Sequence, residues 1–331
     1  MKKSLVLLIF FYLNFGNAQE KRYVTVDRTL RLMGSRFVIT IVAESEAAAN
    51  KHIDDARAEI TRIEKLISSW DDTSETSLIN KNAGIQPVKV NAELFGLIER
   101  ALKISAITDG AFDISYASMD KVWKFDGSMQ YPPSEEEIKN SIAQIGYQHI
   151  VLDKEESTVF LENKGMKIGF GAIGKGYAAD KTKALMLSKN VFAGIINASG
   201  DLTTWGRQAS GEKWIIGISN PLDREKIFSW LPVDESSVAT SGNYEKYLVF
   251  KGEKYSHIID PRTGYPSKGI NSVSVFSKSA ELCDALATSV FIMGRETGLA
   301  FIDQLEGTEV IIVDSDHKIH KSKGIKFDEK R

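Results

Sequence analysis

Gly169-Phe170-Gly171-Ala172-Ile173-Gly174-Lys175-Gly176 is the stretch on which the fold class turns. It satisfies G-x-G-x-x-G, comes within one residue of the phosphate-loop pattern, and follows apolar residues that read as a short strand. A phosphate loop needs Ser or Thr after the Lys to hold Mg²⁺, and Gly176 stands there instead. A dinucleotide fold sets the motif in a βαβ unit with an acid closing the next strand, whereas the next strand here ends Ile196-Asn197-Ala198. Two readings stay open. The glycines let backbone approach a phosphate that Lys175 neutralises, or they form a tight strand-to-helix turn with a surface lysine.

On either side the patterning is not a regular βα alternation. Val24 to Val42 reads as strands with a turn at Gly34. Ser45 caps a helix on which Ala48, Ile53, Ala56, Ile60, Ile63 and Ile67 recur at helical spacing. Polar residues 71–77 break that pattern. A second helix carries Leu94, Leu97, Ile98, Ala101, Leu102 and Ile104 and stops before Asp109-Gly110. Ser134 and Glu137 form a capping box for a short helix to Ile145. From Ile150 short strands alternate with Gly-containing turns, interrupted by helices near 174–187, 280–293 and 295–304. Val310 to Val313 reads as a late strand and the Lys-rich end as a solvated tail. The fold class is α+β, as one compact catalytic body over residues 19–331.

The bulk properties narrow the function. The chain has 331 residues, with 42 basic against 44 acidic, a formal net charge of −2. That balance gives no whole-molecule attraction to nucleic acid or an anionic membrane, so an anionic ligand must be held by local geometry. Cys283 is the single cysteine, which excludes an intramolecular disulfide and a Cys-based zinc site. Lys2 and Lys3, the apolar run Leu5 to Phe15 and the small residues of Gly16-Asn17-Ala18 have the layout of a secretory signal peptide over residues 1–18. The expectation is an exported protein starting at Gln19, in the periplasm or on the outer face of the inner membrane. It has no lipidation cysteine and touches membrane only through a partner or an uncleaved signal.

Three further stretches carry chemistry. In Ala280-Glu281-Leu282-Cys283-Asp284-Ala285-Leu286-Ala287-Thr288, Asp284 and Thr288 share one helical face. A carboxylate and a hydroxyl suit a hard ion such as Mg²⁺, while a helix-start acid with a back-bonding Thr is the plainer alternative. In His257-Ile258-Ile259-Asp260-Pro261-Arg262-Thr263-Gly264 the apolar residues read as a strand ended by a turn. His257, with an ordinary pKa of ~6.5, can exchange a proton near neutrality. Thr240-Ser241-Gly242-Asn243-Tyr244-Glu245 and Asp109-Gly110-Ala111-Phe112-Asp113 read as simple turns.

Taken together and in order, these pieces resemble the ApbE-type FAD:protein FMN transferases. The matching segments are Met33-Gly34-Ser35, Ser69-Trp70 through Ser77-Leu78-Ile79-Asn80, Asp109 to Asp113, Gly171 to Asp180, Asn197-Ala198-Ser199-Gly200-Asp201, Ala239 to Gly242, His257 to Gly264 and Asp284 to Thr288. The resemblance implies two similar α+β halves with FAD bound between them. It implies an exported enzyme that cleaves FAD and attaches FMN through a phosphoester to a Thr of an acceptor protein, releasing AMP. The acceptor would be a flavoprotein such as an Nqr- or Rnf-type redox subunit or an exported FMN-binding domain.

Carried over by residue, the Mg²⁺ ligands are the side chains of Asp284 and Thr288 with backbone oxygen from Ala172 and Ala287. FAD contacts are Met33, Trp70, Ala111, Phe112, Asp113, Lys175 and Ile258, and His257 is the base. Two departures stand out: Gly169 replaces an acid common in relatives, and Trp70 replaces a common Tyr. A Mg²⁺-dependent FAD pyrophosphatase and a non-catalytic exported flavin-binding protein are the alternatives.

Overall fold

The computed structural model describes residues 23–325 except 221–222, 234, 244–246 and 251. The signal-peptide segment 1–18, the tail beyond Ile325, Tyr244 and Glu245 lie outside the described residues. Phe37, Ile39 and Ile41 alternate along one strand and all three are sealed in the core, the pattern expected of a strand with one face against helices. That strand, Ser35–Ala43 (β2), pairs with Val24–Leu32 (β1) across the turn at Met33-Gly34, where both residues have positive φ. A two-residue turn with two left-handed residues matches the twist of a hairpin.

The helices begin as their caps dictate. Ser45 accepts from the Ala48 amide to open Glu46–Ile67 (α1). Asn91 opens Ala92–Ile107 (α3) in the same way, after a short helix Glu75–Lys81 (α2). Both bonds of the Ser134/Glu137 capping box form at Glu135–Ser141 (α4). Gly174–Ser188 (α5) then leads back to the main sheet through Ala193–Ala198 (β3) and Asp201–Trp205 (β4). Ser237–Gly242 (β5), Ile270–Ser277 (β6), Ala280–Met293 (α6), Arg295–Ile302 (α7), Glu309–Asp314 (β7) and Ile319–Lys321 (β8) follow.

Strands β1 to β8 form one antiparallel sheet in chain order, each paired with the next. The fold is thus α+β with antiparallel sheets. A hairpin, a helix and a returning hairpin occur twice, as β1-β2-α1-β3-β4 and β5-β6-α6-β7-β8, with α2 to α5 inserted in the first and α7 in the second. Helix α1 packs on β1 and β2, α5 on β3 and β4, and α6 on β5 and β6, while α5 touches both α1 and α6.

Several local expectations are corrected. Residues 71–77 do break the helical pattern, α1 ending at Ile67, and within them Ser74 accepts from the Ser77 amide and starts α2. Helix α4 ends at Ser141 rather than Ile145, since residues 142–145 close in tighter three-residue turns. The apolar run before Gly169 is not a strand: the Ile168 backbone bonds the side-chain amide of Asn80 in both directions, 2.8 and 3.0 Å, in place of a ladder. Strand Glu253–Ser256 ends before His257, and Ile259 keeps a single bridge to Pro266. Thr240, Ser241 and Gly242 are the end of β5, not a turn. The Lys-rich end is not wholly a tail, because β8 pairs with β7 and Ile325 is buried.

Candidate active site

The glycines of the opening motif are first of all packing residues. A β-carbon at Gly174 would stand 2.8 Å from the Ile67 side chain of α1, and one at Gly176 would overlap the carbonyl oxygen of Ala280 in α6. Helix α5 is therefore wedged between its neighbours at a distance only glycine permits. Gly171 has nothing within 4 Å of its missing β-carbon, and Gly169, Gly171 and Ala172 line an open wall. The absence of Ser or Thr after Lys175 is thus explained: that position is filled by α6.

That wall belongs to a cleft of about 520 Å³. Ser35, Ser199 and Asp201 reach it from the first half; Thr240, Ser241 and Gly242 of β5 and Asp284 and Thr288 of α6 reach it from the second. Of the residues singled out from sequence, Trp70, Ala111, Phe112, Asp113, Ala172, Lys175, His257, Ile258, Asp284 and Thr288 line it together. Met33 and Ala287 do not. Met33 donates its amide to Glu64 at 3.0 Å and turns its side chain toward Gly174, while Ala287 is sealed inside α6.

The polar floor is made by α5 and α6. One carboxylate oxygen of Asp284 accepts from the Gly176 amide at 3.1 Å, and Thr288 lies 3.2 Å from the Ser241 hydroxyl. Lys175 forms an ion pair with Asp201, whose other oxygen accepts from the Thr240 amide at 3.4 Å. Asp201 and Asp284 are both buried. Burial pushes the Asp201 carboxyl up, the Asp284 charge adds to this, and Lys175 pulls it back. Burial raises Asp284 likewise, opposed by Lys175 and the α5 amides. Two carboxylates, two hydroxyls and adjacent backbone form an all-oxygen donor set, which fits a hard divalent ion. Among the described residues no three His, Cys, Asp or Glu side chains gather as a metal cluster. A set poor in carboxylates suits Mg²⁺, which keeps waters and phosphate oxygens among its ligands.

The opposite wall is built from two docked turns. Arg262 pairs with Asp260, reaches the Asp109 carbonyl at 3.4 Å and lays its stem beside Gly110. This fastens the His257–Gly264 loop to the Asp109–Asp113 turn. His257 is half-buried and meets the Phe125 ring edge-to-face, centroids 6.5 Å apart at 81°. Asp113 spends both carboxylate oxygens internally, on the Ser115 amide and hydroxyl and on the Tyr147 amide. Its burial pushes the carboxyl up against those bonds. At the rim Trp70 is 83% exposed, with the Lys121 ammonium 5.2 Å from its ring centroid. It is not a core tryptophan, and the ring face away from Lys121 is available for stacking.

Sequence reasoning gave Asp201 no role of its own. The available signal is Ser199-Gly200, both with positive φ, a two-residue hairpin turn that starts β4 with Asp201 at the cleft. Tyr116, a lining residue whose phenol burial pushes up to about 12, was also missed, because no motif marks it.

Comparison with known proteins bears on the family and the fold. The ApbE family model matches residues 33–312. An FAD:protein FMN transferase of Klebsiella pneumoniae (strain 342) is 32% identical over 290 residues, covering 87% of this chain and 89% of that protein. Another, from Treponema pallidum (strain Nichols), is 28% identical over 326 residues, covering 94% and 89%. The crystal structure of the ApbE protein of Thermotoga maritima matches with a TM-score of 0.81 at 29% identity, over 91% of this chain and 97% of that one. The apo flavinyl transferase ApbE of Pseudomonas stutzeri matches with a TM-score of 0.80 at 26% identity, over 91% and 95%.

Proposed function

The chain belongs to the ApbE family and is a flavin transferase, and from that premise we propose that it moves FMN from FAD to a threonine of an acceptor protein in a Mg²⁺-dependent reaction. The observation that carries this reading is the convergence of His257, Lys175, Asp284 and Thr288 on one cleft. The threonine oxygen attacks the FMN-side phosphorus of the pyrophosphate. The phosphoanhydride bond to AMP breaks, AMP leaves, and the threonine proton passes to the His257 imidazole. A threonine hydroxyl is a weak nucleophile near neutrality, so a base at this position contributes ~10²–10⁴-fold.

Lys175 neutralises a phosphoryl oxygen as charge develops, and the backbone of Gly171 and Ala172 lets the diphosphate approach closely. Trp70 stacks on a flat ring of FAD at the rim. Asp284 and Thr288, with backbone oxygen from Ala172, would hold Mg²⁺, which when bound supplies Lewis-acid neutralisation of the diphosphate; Ala287, sealed inside α6, is left out of this set. Met33 acts from behind the wall by fixing the start of α5, and Asp113 by fixing the Phe112 to Tyr116 turn.

Residues 19–331 act as one catalytic unit after removal of residues 1–18, in the periplasm, on an exported flavoprotein acceptor of the Nqr, Rnf or FMN-binding type. Mass spectrometry of a threonine-bearing acceptor incubated with enzyme, FAD and Mg²⁺ tests the reaction. The acceptor must gain one FMN less water, on threonine. An unmodified acceptor alongside free FMN and AMP would instead mark a pyrophosphatase. N-terminal sequencing of the exported protein, starting at Gln19, checks the processing.

A further inference from the structure

Lys175 is the one lysine or arginine among the described residues lining the cleft, and it serves two buried acids. It pairs directly with Asp201, and it opposes the burial of Asp284 through its charge. Asp201 cannot swing away freely, because it begins β4 at the Ser199-Gly200 turn and its second oxygen is held by the Thr240 amide. When the diphosphate of FAD takes the ammonium, Asp201 remains beside Asp284 with less countercharge, and a buried carboxylate without a partner is costly. A divalent ion in the same oxygen set supplies that charge.

We propose that Asp201 is a positioning residue that couples FAD binding to divalent-ion binding: it holds Lys175 in the free enzyme, yields it to the diphosphate, and turns its own charge to the ion's benefit. This inference rests on the flavin-transfer reading above. Each ligand then raises the affinity of the other by the same factor. In the free enzyme the ammonium competes with the ion for Asp201, so neither ligand alone gains the full benefit of the site.

The test uses full-length protein carrying His257→Gly, so that FAD persists, with FAD, Mg²⁺ and Mn²⁺ as probes. FAD affinity is read from flavin fluorescence with and without Mg²⁺. Mn²⁺ affinity is read from its electron paramagnetic resonance signal with and without FAD. Coupling through Asp201 predicts that Mg²⁺ tightens FAD binding about tenfold or more, inside the usual ~5–150-fold of coupled sites. Asp201→Asn should bring that factor below about threefold and tighten FAD binding in the absence of Mg²⁺.

Equal coupling factors in the parent and in the Asp201→Asn variant would overturn the inference while leaving flavin transfer intact. Thermal unfolding reports whether Asp201→Asn folds. If it does not, Lys175→Gln decides: Mn²⁺ must bind that FAD-free protein more tightly than its parent, and unchanged or weaker binding overturns the inference. Failure of the parent to bind FAD at all would remove the flavin reading and the coupling together.

Discussion

Asp180 and Asp284 cap each other's helices. Asp180, on α5, accepts from the Ala280 and Glu281 amides and the Ser279 hydroxyl of α6, at 2.9, 3.0 and 2.7 Å. Asp284, on α6, accepts in return from the Gly176 amide of α5 at 3.1 Å. First-turn amides lack partners within their own helix, and a carboxylate there is favourable both as acceptor and as charge. The helix that brings Lys175 to the cleft and the helix that brings Asp284 and Thr288 are thereby held in one register.

Gly176→Ala breaks that register. The added methyl would overlap the Ala280 carbonyl and stand 2.9 Å from the Asp284 β-carbon, and backbone must move to admit it. Overpacking of this kind costs ~1–3 kcal/mol, visible as a lower urea midpoint. AMP release falls with it, since the carboxylate shifts. Gly171→Ala, with open space around it, leaves the unfolding free energy within about 0.5 kcal/mol of the parent.

Trp70→Ala separates binding from stability. With 83% of the residue exposed, its loss changes unfolding by less than ~0.5 kcal/mol. Loss of a stacking face weakens FAD binding by ~0.5–1.5 kcal/mol, about two- to twelvefold, and Trp70→Tyr retains most of the affinity. Fluorescence titration decides; an unchanged affinity for Trp70→Ala would remove the stacking role.

If the proposed base role holds, His257→Gln lowers transfer by ~10²–10⁴-fold while FAD binding stays within about threefold. Phe125→Ala leaves His257 in place without its edge-to-face neighbour and gives a smaller loss. Single-turnover transfer rates and fluorescence titration, run on the same preparations, separate the two effects.

Acid stability falls on a surface-side network. Burial pushes Glu93 up, but hydrogen bonds from Arg62 and Tyr177, each 2.7 Å, and the charges of Arg62 and Lys181 hold its carboxyl at about 2, below the ordinary 4.5. A carboxylate depressed on folding stabilises above its unfolded pKa, and that contribution drains away as pH falls from 4.5 toward 2. Urea midpoints of the parent drop through this window, and Glu93→Gln flattens the drop. Equal slopes in parent and variant would contradict the assignment.

Much of this was legible in the chain. Ser45 and Ser134 announce helices because a cap is a local interaction, and five of the six α1 positions named from spacing are buried, Ala49 taking the place of the half-buried Ala48. Asp284 and Thr288 could be placed on one face for the same reason. What failed depended on partners distant in sequence. Asn80 replaces the ladder that would have made Met166–Phe170 a strand, and nothing near residue 168 foretells residue 80. The exposure of Trp70 and the place of Asp201 beside Lys175 are set by tertiary packing within the first half, not by spacing. Gly176 was read as a defect in a phosphate loop until α6 gave it a reason.

The most direct test is AMP release from FAD with Mg²⁺, with and without a threonine-bearing acceptor, and with His257→Gly as control. A flavin transferase built on this cleft releases AMP only with the acceptor, in proportion to covalent flavin on it, and the variant abolishes both. AMP formed equally without acceptor would contradict the transfer reaction and identify a pyrophosphatase.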